Sequence, residues 1–213
     1  MTTQVWLDLE TTGLDAKEGA ILEVGFIVVT EDGSEVEFEA VVGGLGSDWE
    51  DLMPEVVVEM HMATGLFDQV NGEGSLPLDQ IEGLAIDVLD QFGERGDFWL
   101  CGSGVIEFDR VWLNEHMPRL AEWFHYRTID MGVIRRWLAL IGVTEQWEFT
   151  RKDELVAHRA LDDAQSALDE HRWFSKIVGD GAVMPLKVCP FDCDGCHGEG
   201  CPCARGGCDG DTA

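Results

Sequence analysis

The chain has 213 residues, 45% of them hydrophobic, with 14 Lys+Arg against 42 Asp+Glu and a formal net charge of -28. That apolar content suits one packed domain with a modest appendage and excludes wholesale disorder. The charge excludes a protein that grips long nucleic acid through its backbone, because nonspecific affinity comes from Lys and Arg neutralising phosphates. It reads either as a solubility surface or saline habitat, or as a sign that any nucleic-acid substrate is short or held locally with metal ions.

Residues 4–10 (QVWLDLE) read as a buried strand ending in acids, and residues 20–30 (AILEVGFIVVT) as a second strand rich in β-branched residues. The longest apolar run, Ala20 to Val29, is interrupted by Glu23 and Gly25 and is too short to cross a bilayer. The opening Met1-Thr2-Thr3-Gln4 lacks the basic and apolar stretches of a signal peptide, so the expectation is a cytoplasmic protein with no membrane partner. Asp32-Gly33 signals a tight turn, and EVEFEAVV alternates as a third strand, which opens the fold as an antiparallel meander. Helical spacing follows over Asp51 to Val70 and over Gln80 to Phe92, where Ile81, Leu84, Ala85, Val88, Leu89 and Phe92 share a face. Phe98 to Cys101 is a short apolar strand. Glu107 to His116 reads as a helix with Pro118 just beyond it, Ile129 to Ile141 as another stopped at Gly142, and Ala160 to Val178 as the last. Strands followed by helices that alternate with short strands predict an α/β fold, a mixed central sheet flanked by helices. Past Val178 the composition shifts to Gly, Cys and Asp without apolar periodicity, giving a domain over residues 1–178 and a tail over 179–213.

Asp8 and Glu10 lie two apart on a strand, so both carboxylates point to one face. Two bare carboxylates on one face repel unless a cation sits between them, and hard divalent ions such as Mg²⁺ and Mn²⁺ take oxygen ligands. The plainer reading is a solvated strand edge, which the apolar flank Val5-Trp6-Leu7 argues against. Asp109 falls at the start of a helix after Gly102 and Gly104, where an acid also serves the helix dipole. His158 and Asp163 stand in H-R-A-L-D-D. Five residues turn about 140° around a helix, so the two share a face only if His158 stands on the approach and Asp163 in the first turn. The plainer reading there is an acidic helix start beside an incidental histidine.

Together, in this order and on these elements, DLETTGL (8–14), FDRVWL (108–113) and HRALDDAQSALDE (158–170) resemble the DEDDh 3′-to-5′ exonucleases of ribonuclease H-like fold. More narrowly, HYRTID (125–130) and His61-Met62-Ala63-Thr64-Gly65-Leu66 are similar to segments of the oligoribonuclease family that handle the ends of very short RNA. The resemblance implies two divalent cations, Mg²⁺ or Mn²⁺, on Asp8, Glu10, Asp109 and Asp163. It implies His158 as the base that takes a proton from the attacking water, and 5′-mononucleotides as products. It further implies Leu14 as a wedge between the last two bases and His61 as a stacking partner. Tyr126 and Arg127 would face the 5′ or scissile phosphate of short single-stranded RNA, with a homodimer interface as one place for that contact. For His61 and Tyr126 ordinary packing is the alternative. The chain departs from the family at Val56, where a Trp is expected, at Gly132, where a Ser is expected, and in a loop before Asp109 that is one residue longer.

Six of the seven cysteines crowd into the tail, at Cys189, Cys193, Cys196, Cys201, Cys203 and Cys208, with His197 beside Cys196. Thiolates at such spacings can wrap a tetrahedral Zn²⁺, while a low-complexity tail and disulfides are the other readings. Three functions follow from the whole: an exoribonuclease on short RNA, a DNA-directed proofreading or repair exonuclease of the same superfamily, or a non-catalytic acidic interaction protein with the tail as its docking module.

Overall fold

The computed structural model describes residues 3–140 and 158–179. Strands β1 (Gln4–Thr11), β2 (Ile21–Val29) and β3 (Glu35–Val41) form the expected meander. After a single 3₁₀ turn at Trp49–Leu52 come helices α1 (Glu55–Thr64), α2 (Leu66–Gln69) and α3 (Leu78–Leu89), strand β4 (Phe98–Gly102), helices α4 (Asp109–His116) and α5 (Pro118–Ala121), strand β5 (Phe124–Asp130), and helices α6 (Met131–Leu140) and α7 (Ala160–Gly179). The sheet order is β3-β2-β1-β4-β5, with β1–β2 and β2–β3 antiparallel and β1–β4 and β4–β5 parallel.

The strand β1 carries no simple alternation because both of its faces are covered. Val5, Leu7 and Leu9 pack with Val24, Phe26, Val28, Phe98 and Leu100 beneath Ile81, Ala85 and Leu89 of α3 and Trp112 and Leu113 of α4. Trp6 faces the other way, with Ile27 and Cys101, against Met131 and Leu138 of α6 and Ala167, Leu168 and Phe174 of α7. Each fully buried side chain of this size contributes about 1.5–3 kcal/mol, so the central strand is fixed from both sides.

Two expectations need correction. The segment 51–70 is not one helix: it breaks at Pro54 and again at Gly65, whose left-handed φ of 76° ends α1. The helix expected from Ile129 instead begins at Met131, and residues 124–130 form the edge strand β5. At a sheet edge the strand exposes Tyr126 and Arg127 and buries only its ends, so it lacks the apolar signature of an inner strand. The expected stop at Gly142 and the whole cysteine cluster lie outside the described residues.

Candidate active site

Period-two geometry puts Asp8 and Glu10 on the face of Trp6, the face covered by α7. Across the antiparallel pair Asp8 faces Gly25 and Glu10 faces Glu23. Because β1 and β4 are parallel, the chain leaves both at the same end of the sheet, and Ser103 arrives there from β4. The end of the sheet where parallel strands give out is the usual place for a site in such folds.

The start of α7 completes the cluster. His158 stands just before the helix and Asp163 in its first turn, as the spacing requires. The His158 backbone N–H donates to Asp163 Oδ2 at 2.9 Å, and the Asp163 N–H donates to the Arg159 carbonyl at 3.0 Å. One ligand atom each from Glu10, His158 and Asp163 lies within 4.8 Å of the others. With Asp8, Leu9 and Ser103 these three line a cavity of about 220 Å³. Asp109 sits beneath rather than in the cavity wall: it is buried at the first position of α4, and its Oδ1 accepts the Leu9 N–H at 3.0 Å. That bond ties α4 to the backbone between Asp8 and Glu10.

The electrostatics are those of a cluster with too much negative charge. Burial, then the charges of Asp163, Glu23 and Asp109, raise the Glu10 carboxyl from 4.5 to about 8, against an opposing pull from Arg159. Burial likewise pushes Asp109 well above the usual carboxylate range, aided by Asp130 and opposed by its backbone hydrogen bonds. Carboxylates so placed disfavour their own ionised forms, and a hard divalent cation bound by oxygen restores them. The ligand atoms of Glu10, His158 and Asp163 converge closely enough to hold an ion, and with Asp8 on the same cavity this oxygen-rich group fits Mg²⁺ or Mn²⁺.

The remaining expected residues are dispersed. Leu14 is 90% exposed on the turn that leaves β1, a turn closed by the Thr11 hydroxyl donating to the Gly13 carbonyl at 2.8 Å. Tyr126 is 72% exposed on the edge strand, with the Arg127 guanidinium 5.2 Å from its ring centre, and neither lines the cavity. His61 is 0% exposed. Its Nε2–H donates to the Thr11 carbonyl at 3.1 Å, and its Nδ1, without a hydrogen-bond partner, lies 3.9 Å from Glu10 Oε2. In this arrangement the ring has no surface to offer a base, so the expected stacking is not available there. Burial also pushes the His61 pKa down. At Gly132 an added Cβ would meet Asp130 Oδ1 at 3.0 Å and Arg136 Nη1 at 3.3 Å, so a serine is crowded where the family resemblance expects one.

Three supporting residues escaped the sequence reading. Asp130, buried, accepts the N–H groups of Gly104 and Ile106, each at 3.2 Å, and that of Val133 at 3.0 Å, which fixes the loop leading to Asp109. Glu23 and Arg159 form an ion pair beside Glu10. The signal for Glu23 was present, as an acid inside an otherwise apolar strand.

A family model described as exonuclease, of the RNase T type, matches residues 5–170. The chain belongs to this exonuclease family, of the DEDDh 3′-to-5′ class, and is a phosphodiester hydrolase. Among its relatives, the oligoribonuclease of Mannheimia succiniciproducens is 31% identical over 189 residues, covering 83% of this chain and 95% of the relative. That of Haemophilus ducreyi is 30% identical over 175 residues, covering 80% and 91%. The fold is shared with exonuclease I: one structure superposes with a TM-score of 0.62 at 13% identity, and that from Methylocaldum szegediense with 0.58 at 18%. Both cover 83% of this chain but only 41% of the exonuclease I chain, so this protein spans about two fifths of those molecules. The family works with divalent metal ions on nucleic acid. Among the described residues no helix is long and apolar enough to cross a membrane.

Proposed function

We propose that this exonuclease trims short single-stranded RNA from the 3′ end to 5′-mononucleotides, in the cytoplasm. The observation that carries the reading is the convergence of Glu10, His158 and Asp163 on one point of a small cavity beside Asp8. Asp8, Glu10, Asp109 and Asp163 would hold two divalent ions, which when bound supply an activated water and charge compensation at the scissile phosphate. His158 stands exposed at the cavity and accepts the proton of the attacking water on its imidazole. The Asp163 carboxylate, by accepting the His158 N–H, keeps that imidazole over the acids.

The preference for short RNA is supported by three features. The charge of -28 repels a long phosphate backbone. The cavity is small, and Leu14, exposed on the turn that leaves β1, offers an apolar wedge that any base can meet. The relatives at about 30% identity are oligoribonucleases. Tyr126 and Arg127 fit a contact made to the substrate of a second copy, since they stand on an exposed sheet edge away from their own cavity; on this reading the protein is a homodimer. The tail residues Cys189, Cys193, Cys196, Cys201, Cys203 and Cys208, by the spacing of their thiolates, would bind zinc, a role that the chemistry does not need. A DNA-directed exonuclease is the second reading, favoured by the fold shared with an exonuclease I whose structure holds a dA13 oligonucleotide.

The test is kcat/KM for matched RNA and DNA series with Mn²⁺. Efficient cutting of RNA of about two to five nucleotides, no slower per end than a long strand, supports the proposal. A steep rise with length, or preference for DNA, overturns it.

A further inference from the structure

Glu23 is buried near the start of β2 between Leu22 and Val24, with no surface of its own exposed. A carboxylate in such a place persists only if its charge and lone pairs are met. Arg159 and the start of α7 meet both. The Arg159 Nε–H donates to Oε1 at 2.9 Å and reaches Oε2 at 3.1 Å, and its Nη2 group donates to Oε1 as well. The Ala160 backbone N–H donates to Oε2 at 2.9 Å, so Glu23 also satisfies one of the free donors at the helix start. The outer side of the guanidinium reaches Glu39 Oε1 at 3.3 Å and Gln69 Oε1 at 3.1 Å. Arg159 is thereby clamped between β2, β3 and the end of α2.

Two positions along, Gly25 lets the helix sit on the strand. A Cβ there would lie 2.3 Å from the Leu161 nitrogen and 2.5 Å from the Ala160 carbonyl carbon. Glu23 and Gly25 share the sheet face of Glu10 and Asp8 and pair with them across the ladder. The anchor for α7 is thus built on the strand directly opposite the two acids of β1. His158 is the next residue back along the chain from the clamped Arg159. Its φ of 88° is an uncommon left-handed conformation for a residue with a Cβ, one that its contacts must hold in place. Those contacts are its own N–H to Asp163 on one side and the Glu23 bonds of the next two residues on the other.

We propose that the Glu23–Arg159 pair is the positioning device for His158, setting the imidazole over the acids of β1 although neither residue touches the reacting atoms. The inference rests on the reading of His158 as the general base. A lysine at position 159 keeps the charge but not the planar fork, so it can neutralise Glu23 without fixing the backbone beside it.

The experiment is a double-variant cycle on the full chain, with short RNA and Mn²⁺. Arg159→Lys is expected to lower kcat by about 10²-fold, the cost of an ångström-scale misplacement, with KM and the Mn²⁺ concentration for half-maximal activity within about two-fold of the parent. In a His158→Ala background the same change should cost less than about two-fold more, because the two act as one unit. A loss that persists at full size in a slow His158→Ala background overturns the positioning role and leaves the base assignment standing. A His158→Ala protein with near-normal kcat overturns the base assignment, and the proposal with it. If Arg159→Lys does not fold, Glu23→Gln with Arg159→Met removes both charges and keeps an oxygen for the Ala160 N–H, a replacement that buried pairs commonly tolerate. That variant should melt near the parent and still show the kcat loss; parental turnover in it overturns the proposal.

Discussion

Glu10 and Glu23 are cross-strand partners, both buried, on the same face of the same two strands. Yet the chain treats them oppositely. Glu23 receives an arginine fork and a backbone N–H from its own polypeptide. Glu10 receives more negative charge, from Asp163 and Asp109, and its carboxyl is raised to about 8. The contrast separates two uses of a buried acid. One is neutralised internally and becomes structure; the other is left short of positive charge and becomes a site for something brought in from solution.

That contrast breaks most sharply through activity. Asp8→Ala, Asp109→Ala and Glu10→Gln are each expected to lower kcat by at least about 10³-fold, since each removes part of the charge set proposed to hold divalent ions. All three should stay folded by circular dichroism, because relief of mutual repulsion offsets what each removes; Asp109→Ala, which also frees the buried Leu9 N–H, should be the least stable of them. Near-normal turnover in any of them would refute the assignment of the cluster. His158→Ala should slow turnover by about 10²–10⁴-fold while Mn²⁺ binding, followed by electron paramagnetic resonance titration, stays near the parental level.

The next effect is on stability, and its sign differs between the two acids. Glu23→Gln removes the buried charge that Arg159 faces, leaving it only the more exposed Glu39 as an acidic partner, and should destabilise the fold by about 3 kcal/mol, measured by urea unfolding. Glu10→Gln should stabilise the metal-free protein near pH 8, because it removes a charge that the fold disfavours. Between pH 4.5 and about 8 the folded Glu10 retains a proton that the unfolded chain has already released. The native state therefore binds more protons, and stability falls as pH rises through that window. Unfolding in EDTA at pH 5 and pH 8 should display this loss, saturating Mg²⁺ should offset it, and Glu10→Gln should flatten it. A metal-free protein more stable at pH 8 than at pH 5 would contradict the electrostatic picture. The smallest effect is expected at the tail: ending the chain after Gly179 should leave kcat on short RNA within about two-fold, because the family match ends at residue 170 and Asp8, Glu10, Asp109, His158 and Asp163 all precede the cut. Bound zinc measured after dialysis should fall in the same variant.

Much of this site was legible in the sequence because its signals are local. Alternation put Asp8 and Glu10 on one face, helix-start chemistry put Asp109 and Asp163 in first turns, and the helical period forced His158 onto the approach. The apolar meander gave β1 to β3 nearly to the residue. What was not legible depends on distant partners. β5 hides because an edge strand exposes the residues that would mark it. The burial of His61 follows from the Thr11 carbonyl and the packing of α1 beside Glu10, neither of which its neighbours announce. Arg159 reads as one more polar residue in HRALDD until β2 supplies Glu23.

The pairing of Glu23 with Arg159 joins positions 136 apart, and it lies where the first strands meet the last described helix. Loop closure over such a span is slow and comes late in folding. On the ribosome, Asp8, Glu10 and Asp109 emerge long before His158 and Asp163 can be threaded onto the sheet. A nascent chain, or one cut short before α7, carries three of the acids and none of the base. On the proposed assignment of the site, the nuclease is thus silent through most of its own synthesis, beside a messenger made of the polymer it is proposed to cut, and becomes competent only as α7 docks.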